Sequence, residues 1–216
     1  MGLSNKNNIK KFKILIIVPK YNITKDKYYG YYFPMGLAYI VSVLKKENYE
    51  IDVINLNHKE GSIKEILFPE LDKKYDFICT GGMVIHYSNI EKILKTVREH
   101  HSNPKIILGG LIITSEKEFI SKNLDFDYGV VNEGEEIIIN LLKCLENKGD
   151  LNKVNGIVYF KENQPVFTPD LKPPMELDKL PFPDVESLGY EEWLDNQIPN
   201  KSCIFSLFDK PRMYDI

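Results

Sequence analysis

The chain has 216 residues and a formal net charge of −3, with 43% hydrophobic and 27% charged residues. That is the profile of an ordinary globular protein with room for one sizeable domain and an appendage. The slightly acidic balance gives no electrostatic reason to expect nucleic acid or an anionic membrane as partner. No apolar run of about 18 residues is present to span a bilayer.

The N-terminal stretch, Met1 to Lys13, is polar and lysine-rich and lacks the apolar core of a signal peptide. Residues 1–12 read as a disordered tail, and the protein as cytoplasmic. Cys79, Cys144 and Cys203 lie far apart, with no C-x-x-C pair to seat a zinc ion or an iron–sulfur centre. Cys79 falls in an apolar strand and Cys144 on the apolar side of a helix, so both read as small core residues.

In chain order, Lys13-Ile14-Leu15-Ile16-Ile17-Val18 is a continuous β-branched run ended by Pro19, suited to a strand buried on both faces. A polar and aromatic loop from Lys20 to Phe33 follows. Pro34 can open a helix, and Leu37, Ile40, Val41 and Leu44 recur at helical spacing up to about Tyr49. The next strand is Ile51 to Leu56, followed by a short helix from Ile63 to Leu71. Phe77 to Thr80 forms the third strand and a helix covers about Asn89 to His100. Lys105 to Leu108 is the fourth strand, a helix lies near Ser115 to Lys122, and Tyr128 to Val131 is the fifth strand. Glu133-Gly134-Glu135 opens a helix through about Leu145.

This alternation predicts an α/β fold with a doubly wound, flavodoxin-like parallel sheet and right-handed crossovers. After Gly149, Gly156 to Phe160 and Pro165 to Phe167 flank a polar turn and predict a small β-hairpin. Pro173, Pro174, Pro181 and Pro183 then mark an extended, Pro-rich connector, hard to pack as a core. The domain therefore spans 13–149, with hairpin and connector over 150–216. The stretch from Trp193 to Ile216 suggests a fragment of something longer.

Ligands of a doubly wound sheet bind beyond the carboxyl ends of the strands. There the sequence places Thr80-Gly81-Gly82-Met83 after the third strand and Gly109-Gly110 after the fourth. Two glycine pairs at one edge suggest a groove kept free of side chains, and Thr80 adds a hydroxyl. The same glycines also suit tight turns and close helix–strand packing. Glu133 and Glu135 favour the dipole of the helix that they open, which explains them without acid–base work. Tyr21, Tyr28, Tyr29, Tyr31, Tyr32 and Phe33 could cover a flat ligand, contact another domain or form a lid. His58, His86, His100 and His101 are not spaced as metal ligands; only His86 falls near the expected cleft. No Walker loop is present and no G-x-G-x-x-G follows the first strand.

The chain resembles the N-terminal cobalamin-binding domain of cobalamin-dependent radical S-adenosylmethionine enzymes. Phe33-Pro34-Met35-Gly36-Leu37-Ala38-Tyr39 is similar to that family's P-x-G-L-A-Y-L helix start. Ile107-Leu108-Gly109-Gly110 ends the fourth strand, and Val131-Asn132-Glu133-Gly134-Glu135-Glu136 is similar to G-E-G-E. Gly156-Ile157-Val158-Tyr159 matches G-I-x-Y, and Leu180-Pro181-Phe182-Pro183-Asp184 matches L-P-x-P-D.

The resemblance implies a cofactor site made of Thr80, Gly81, Gly82 and Met83, of Gly109, Gly110 and Leu111, and of Asn132, Glu133, Gly134 and Glu135. It assigns no catalytic and no metal-ligating residue. Of the motifs D-x-H-x-x-G, S-x-L and G-G that cobalamin domains often carry, the first is absent, because no histidine occurs between Val18 and Pro34. Thr80-Gly81-Gly82 matches the second loosely, and Gly109-Gly110 matches the third.

The resemblance thus implies base-off cobalamin with no histidine lower ligand, its nucleotide tail beside Thr80 and the glycines and its corrin on the strand ends. It further implies a partner barrel, C-terminal to this chain, carrying C-x-x-x-C-x-x-C, a 4Fe-4S cluster and S-adenosylmethionine. The parent would be a methyltransferase or cyclase, and the fragment alone inactive. The alternative is a ligand-free docking domain of the same architecture.

Overall fold

The computed structural model describes residues 11–21, 32–171 and 177–196. The tail before Lys11, Tyr28, Tyr29 and Tyr31, Pro173 and Pro174, Cys203 and the stretch after Asn196 lie outside the described residues.

Seven strands form one sheet: β1 (Lys13–Val18), β2 (Glu50–Asn55), β3 (Phe77–Gly81), β4 (Lys105–Gly109), β5 (Tyr128–Val130), β6 (Ile157–Lys161) and β7 (Gln164–Phe167). Their order is β2-β1-β3-β4-β5-β6-β7. The first five are parallel, in the flavodoxin order. Among the described residues, seven α-helices accompany them: α1 (Met35–Lys46), α2 (Ile63–Leu71), α3 (Tyr87–Glu99), α4 (Leu111–Ser115), α5 (Lys117–Asn123), α6 (Gly134–Glu146) and α7 (Tyr190–Asp195).

The alternating side chains of β1 explain the double winding. Ile14, Ile16 and Val18 join the core under α1 and α6. Leu15 and Ile17 join the core under α2, α3, α4 and α5. Both sets are fully buried, as a strand with helices on both faces requires.

Three local features differ from the sequence expectation. The helix expected near Ser115 to Lys122 is two short helices, because Glu116 (φ −136°, ψ 45°) leaves helical geometry between them. The second strand stops at Asn55, whose side chain accepts a hydrogen bond from Asn57 N and caps a 3₁₀ turn over Leu56–His58. The β6–β7 hairpin is no separate appendage: β6 pairs antiparallel with β5 and extends the sheet. Its turn residues Glu162 (φ 50°) and Asn163 (φ 61°) are both left-handed, the twist that a two-residue hairpin needs. Pro165 is tolerated because β7 is an edge strand.

The connector departs most from expectation, because its described end is core. Leu188, Trp193 and Leu194 are buried in the α1/α6 cluster. Asp184 N donates to Ala38 O at 3.1 Å, and Asn55 Nδ2 donates to Leu188 O at 2.8 Å. Lys45 Nζ lies 2.6 Å from Asp184 Oδ2. Leu180, Val185 and Tyr190 pack against the same core and help to anchor this segment. At the other end, Phe12 meets Phe77 edge-on at 4.9 Å and Lys11 pairs with Glu146 at 3.2 Å.

Candidate functional site

A cavity of about 510 Å³ opens at the carboxyl ends of β3, β4 and β5, between the sheet and the first turns of α1 and α6. This is the size of a small-molecule pocket, at the sheet edge where α/β folds bind ligands. Its inner wall is apolar: Ile107 and Val130 from the strands, Leu37 and Ile40 from α1, and Ile138 from α6. No lysine or arginine lines it among the described residues.

The loops around it are joined to each other. Ile112 N donates to Gly82 O at 2.9 Å, tying the loop after β4 to the loop after β3. Asn132 N donates to Thr114 Oγ1 at 2.9 Å, tying β5 to α4. Asn132 takes a left-handed φ of 66° to make the turn into α6. The mouth is therefore a fixed rim on three adjacent strands.

All eleven residues singled out from the sequence line this one cavity: Thr80 to Met83, Gly109 to Leu111, and Asn132 to Glu135. Their parts differ. A Cβ on Gly81 would sit 2.1 Å from Gly109 O, so this glycine lets β3 and β4 approach. Gly110 has φ 83°, and a Cβ there would lie 2.9 Å from the backbone N and O of Gly82. These two answer to packing. At Gly109 a Cβ would meet nothing within 4 Å, and the same holds for Gly36 at the start of α1. Both line the cavity, so the open volume exists partly because they carry no side chain.

Thr80 is 2% exposed, and its hydroxyl donates to Ile17 O at 2.9 Å. Its proton is committed to β1, which leaves only lone pairs for a ligand. His86 does not line the cavity. Its Nδ1 accepts from Met83 N at 3.3 Å, and its ring stands edge-on to Tyr21 at 4.1 Å. Burial lowers its pKa, which favours the neutral ring that this acceptor role requires. Cys79 lies in the cavity floor, but burial pushes its thiol up to about 12, so it behaves as a small apolar residue. At the mouth, burial first and the neighbouring Glu133 second raise the Glu135 carboxyl.

Gly36, Leu37 and Ile40 also line the cavity, although the sequence marks them only as the start and apolar face of a helix. The available signal was a glycine in the first turn of a helix whose apolar face meets the strands. Of the aromatic loop, Tyr21 lines the cavity, Phe33 is buried against Tyr190 and Trp193, and Tyr32 is 70% exposed.

The B12 binding domain model matches residues 21–142, more than half of the chain. The anaerobic magnesium-protoporphyrin IX monomethyl ester cyclase of Synechocystis sp. is 35% identical over 161 residues, 73% of this chain and 31% of its own length. Among solved structures, the cobalamin-dependent S-adenosylmethionine radical enzyme OxsB with aqua-cobalamin bound superposes with TM-score 0.66 and 20% identity. That match covers 84% of this chain and 25% of that one. The radical S-adenosylmethionine methyltransferase TsrM from Kitasatospora setae, with cobalamin and a 4Fe-4S cluster bound, gives TM-score 0.63 and 16% identity, covering 80% and 31%. The chain thus spans a third or less of these relatives. Every lining residue of the cavity from Tyr21 to Ile138 falls inside the matched span, and the chain belongs to the B12-binding domain family, whose cofactor is cobalamin.

Proposed function

We propose that this chain holds the cobalamin of a larger cobalamin-dependent radical S-adenosylmethionine enzyme, with the cavity taking the detached nucleotide tail. The observation that carries this reading is the pair Gly36 and Gly109, whose missing side chains leave the cavity open between α1, α6 and the strand ends. The apolar wall, without a lysine or arginine among the described residues, suits an uncharged aromatic base. The volume suits one arm of a large cofactor, and the corrin would rest outside on the rim of Met83, Leu111 and the strand ends.

Bound cobalamin would supply alkyl-transfer or redox chemistry at its cobalt. The residues of this chain would bind and orient it. The glycines admit the tail, the wall excludes water from it, and the stitched loops fix its entry. No histidine would serve as lower ligand. None occurs between Val18 and Pro34, His86 already accepts from Met83 N, and none of the four lines the cavity. This favours a base-off, histidine-free state.

The radical chemistry, its iron–sulfur cluster and S-adenosylmethionine would belong to a barrel domain elsewhere in the parent, a methyltransferase or cyclase. Its presence is supported by the longer relatives. A cytoplasmic setting is supported by the unpaired Cys79 and Cys144.

A ligand-free docking domain is the second reading. It is favoured by the exposed Met83, Val84, Ile85 and Leu111 beside the mouth. Incubation with hydroxocobalamin followed by desalting separates the two. Corrin absorbance retained at one equivalent supports the first reading, and folded protein with no retained corrin contradicts it. Reduction of the loaded protein to the cob(II)alamin state tests the base-off assignment by electron paramagnetic resonance. Splitting from an axial nitrogen would contradict it.

A further inference from the structure

The opposite end of the sheet carries a group of side chains that cofactor binding does not use. Helices α2 and α3 lie side by side on one face and both end beside the amino-terminal ends of the strands that follow. Asp72 is the residue that closes α2, and His100 is the residue that closes α3. His100 Nε2 lies 3.2 Å from Asp72 Oδ1. His101 follows, exposed, with its ring centred 4.2 Å from that of His100. One ligand atom from each of Asp72, His100 and His101 falls within 4.8 Å of the other two.

Three physical features favour a cation among them. Ligand atoms around a tetrahedral zinc ion at about 2.0–2.1 Å are roughly 3.3–3.4 Å apart, and the Asp72–His100 separation of 3.2 Å is close to that. The carbonyl ends of two helices converge there, and each carries partial negative charge. His100 is held in place. Its Nδ1 is 2.7 Å from Ser102 Oγ and accepts from Ser102 N at 3.3 Å, and Phe68 stands edge-on to its ring at 5.1 Å. A partner on the far nitrogen is the usual way in which a metal-bound imidazole is oriented. The side chain of His100 is buried, while Asp72 and His101 are open to solvent. An ion can therefore enter from outside and find one fixed ligand and two adjustable ones.

We propose that Asp72, His100 and His101 bind one divalent cation of the zinc class, with water completing its shell, and that the ion clips the end of α2 to the end of α3. Without metal, the Asp72–His100 hydrogen bond holds the site in place; metal at Nε2 would take the neutral ring in its other tautomer, with the proton on Nδ1 donated to Ser102 Oγ.

The test is calorimetric titration of the untagged 216-residue chain with Zn²⁺ alone, with thermal unfolding measured in parallel. The expected result is saturable binding of one ion per chain and a raised unfolding midpoint. His101→Ala and Asp72→Asn, both exposed positions, should each weaken binding at least about tenfold and abolish the thermal shift. Ser102→Ala should weaken it by about 10-fold or more through the orientation of His100. Circular dichroism verifies that each variant is folded. Absence of one-to-one binding by the wild type, or binding of unchanged affinity in both His101→Ala and Asp72→Asn, would overturn the proposal and leave a plain Asp72–His100 hydrogen bond.

Discussion

At the scale of single residues, the glycines divide by what a side chain would meet. A Cβ on Gly110 strikes the backbone of Gly82, and its φ of 83° is unfavourable for any L side chain. With φ 83° and ψ −174°, a region essentially reserved for glycine, Gly110→Ala should therefore lower stability by about 1–3 kcal/mol from the backbone alone, with the Gly82 clash added, as seen in the urea midpoint. Gly109 has neither restriction, so Gly109→Val should fold with a near-native midpoint and fill the cavity instead. Thr80 belongs to the folding side of the same division. Thr80→Val removes the donor to Ile17 O and should cost about 1 kcal/mol in equilibrium unfolding.

The sequence marks all four glycines of these two pairs, but not this difference. It depends on how β3 and β4 lie against each other, a tertiary fact that no local pattern carries. Gly36 was hidden for the same reason, because its meaning comes from α1 facing β3, β4 and β5.

At the scale of elements, the parallel strands were legible because each is a short β-branched or apolar run followed by a turn and a helical period. Less legible was how the ends of elements are pinned. Asp127, just before β5, joins α3 to β4. Arg98 Nη2 reaches it at 2.8 Å, Lys105 Nζ at 2.7 Å and Ile106 N at 2.8 Å. Burial pushes the Asp127 carboxyl up, but the hydrogen bonds from Lys105, Arg98 and Ile106 outweigh it and hold its pKa below the ordinary value of 3.8. A carboxylate whose pKa is lowered by folding stabilises the native state above its unfolded pKa, and that stabilisation fades as pH falls through its lowered folded value. Asp127→Ala should thus cost about 1–3 kcal/mol near neutral pH. The gap between wild type and variant should close as unfolding is followed from pH 5 down below 3.8. A gap constant over that range would contradict the charge-based account.

The group Asp72, His100 and His101 shows the same limit at element ends. Histidine spacing alone gives no ligand pattern, and Asp72, 28 residues before His100, joins only because α2 and α3 end together.

At the scale of the whole molecule, the proline spacing gives no sign that the segment beyond Pro183 is anchored on the core. Pro181 and Pro183 rule out regular structure there, yet the apolar residues beyond them cover α1. Trp193 is 5% exposed, stacked on Tyr190 at 5.2 Å and tilted against Phe33 at 5.6 Å. Phe33 directly precedes Pro34 and the cavity-lining start of α1, so the connector buttresses the side of the cavity that α1 forms. Trp193→Ala should cost about 3–5 kcal/mol, and hydrogen exchange should rise first in α1 and in residues 184–194. Protection unchanged in α1 would show that the connector merely rests there.

The central claim is that the volume left open by Gly109 is where cobalamin enters the fold. Equilibrium titration of hydroxocobalamin into wild type and Gly109→Val, both verified as folded, tests it most directly. The account predicts saturable one-to-one binding by the wild type and a loss of at least about tenfold in the variant, because the valine would occupy the path of the tail and cost more than about 1.4 kcal/mol. Equal affinity of the two proteins would contradict it.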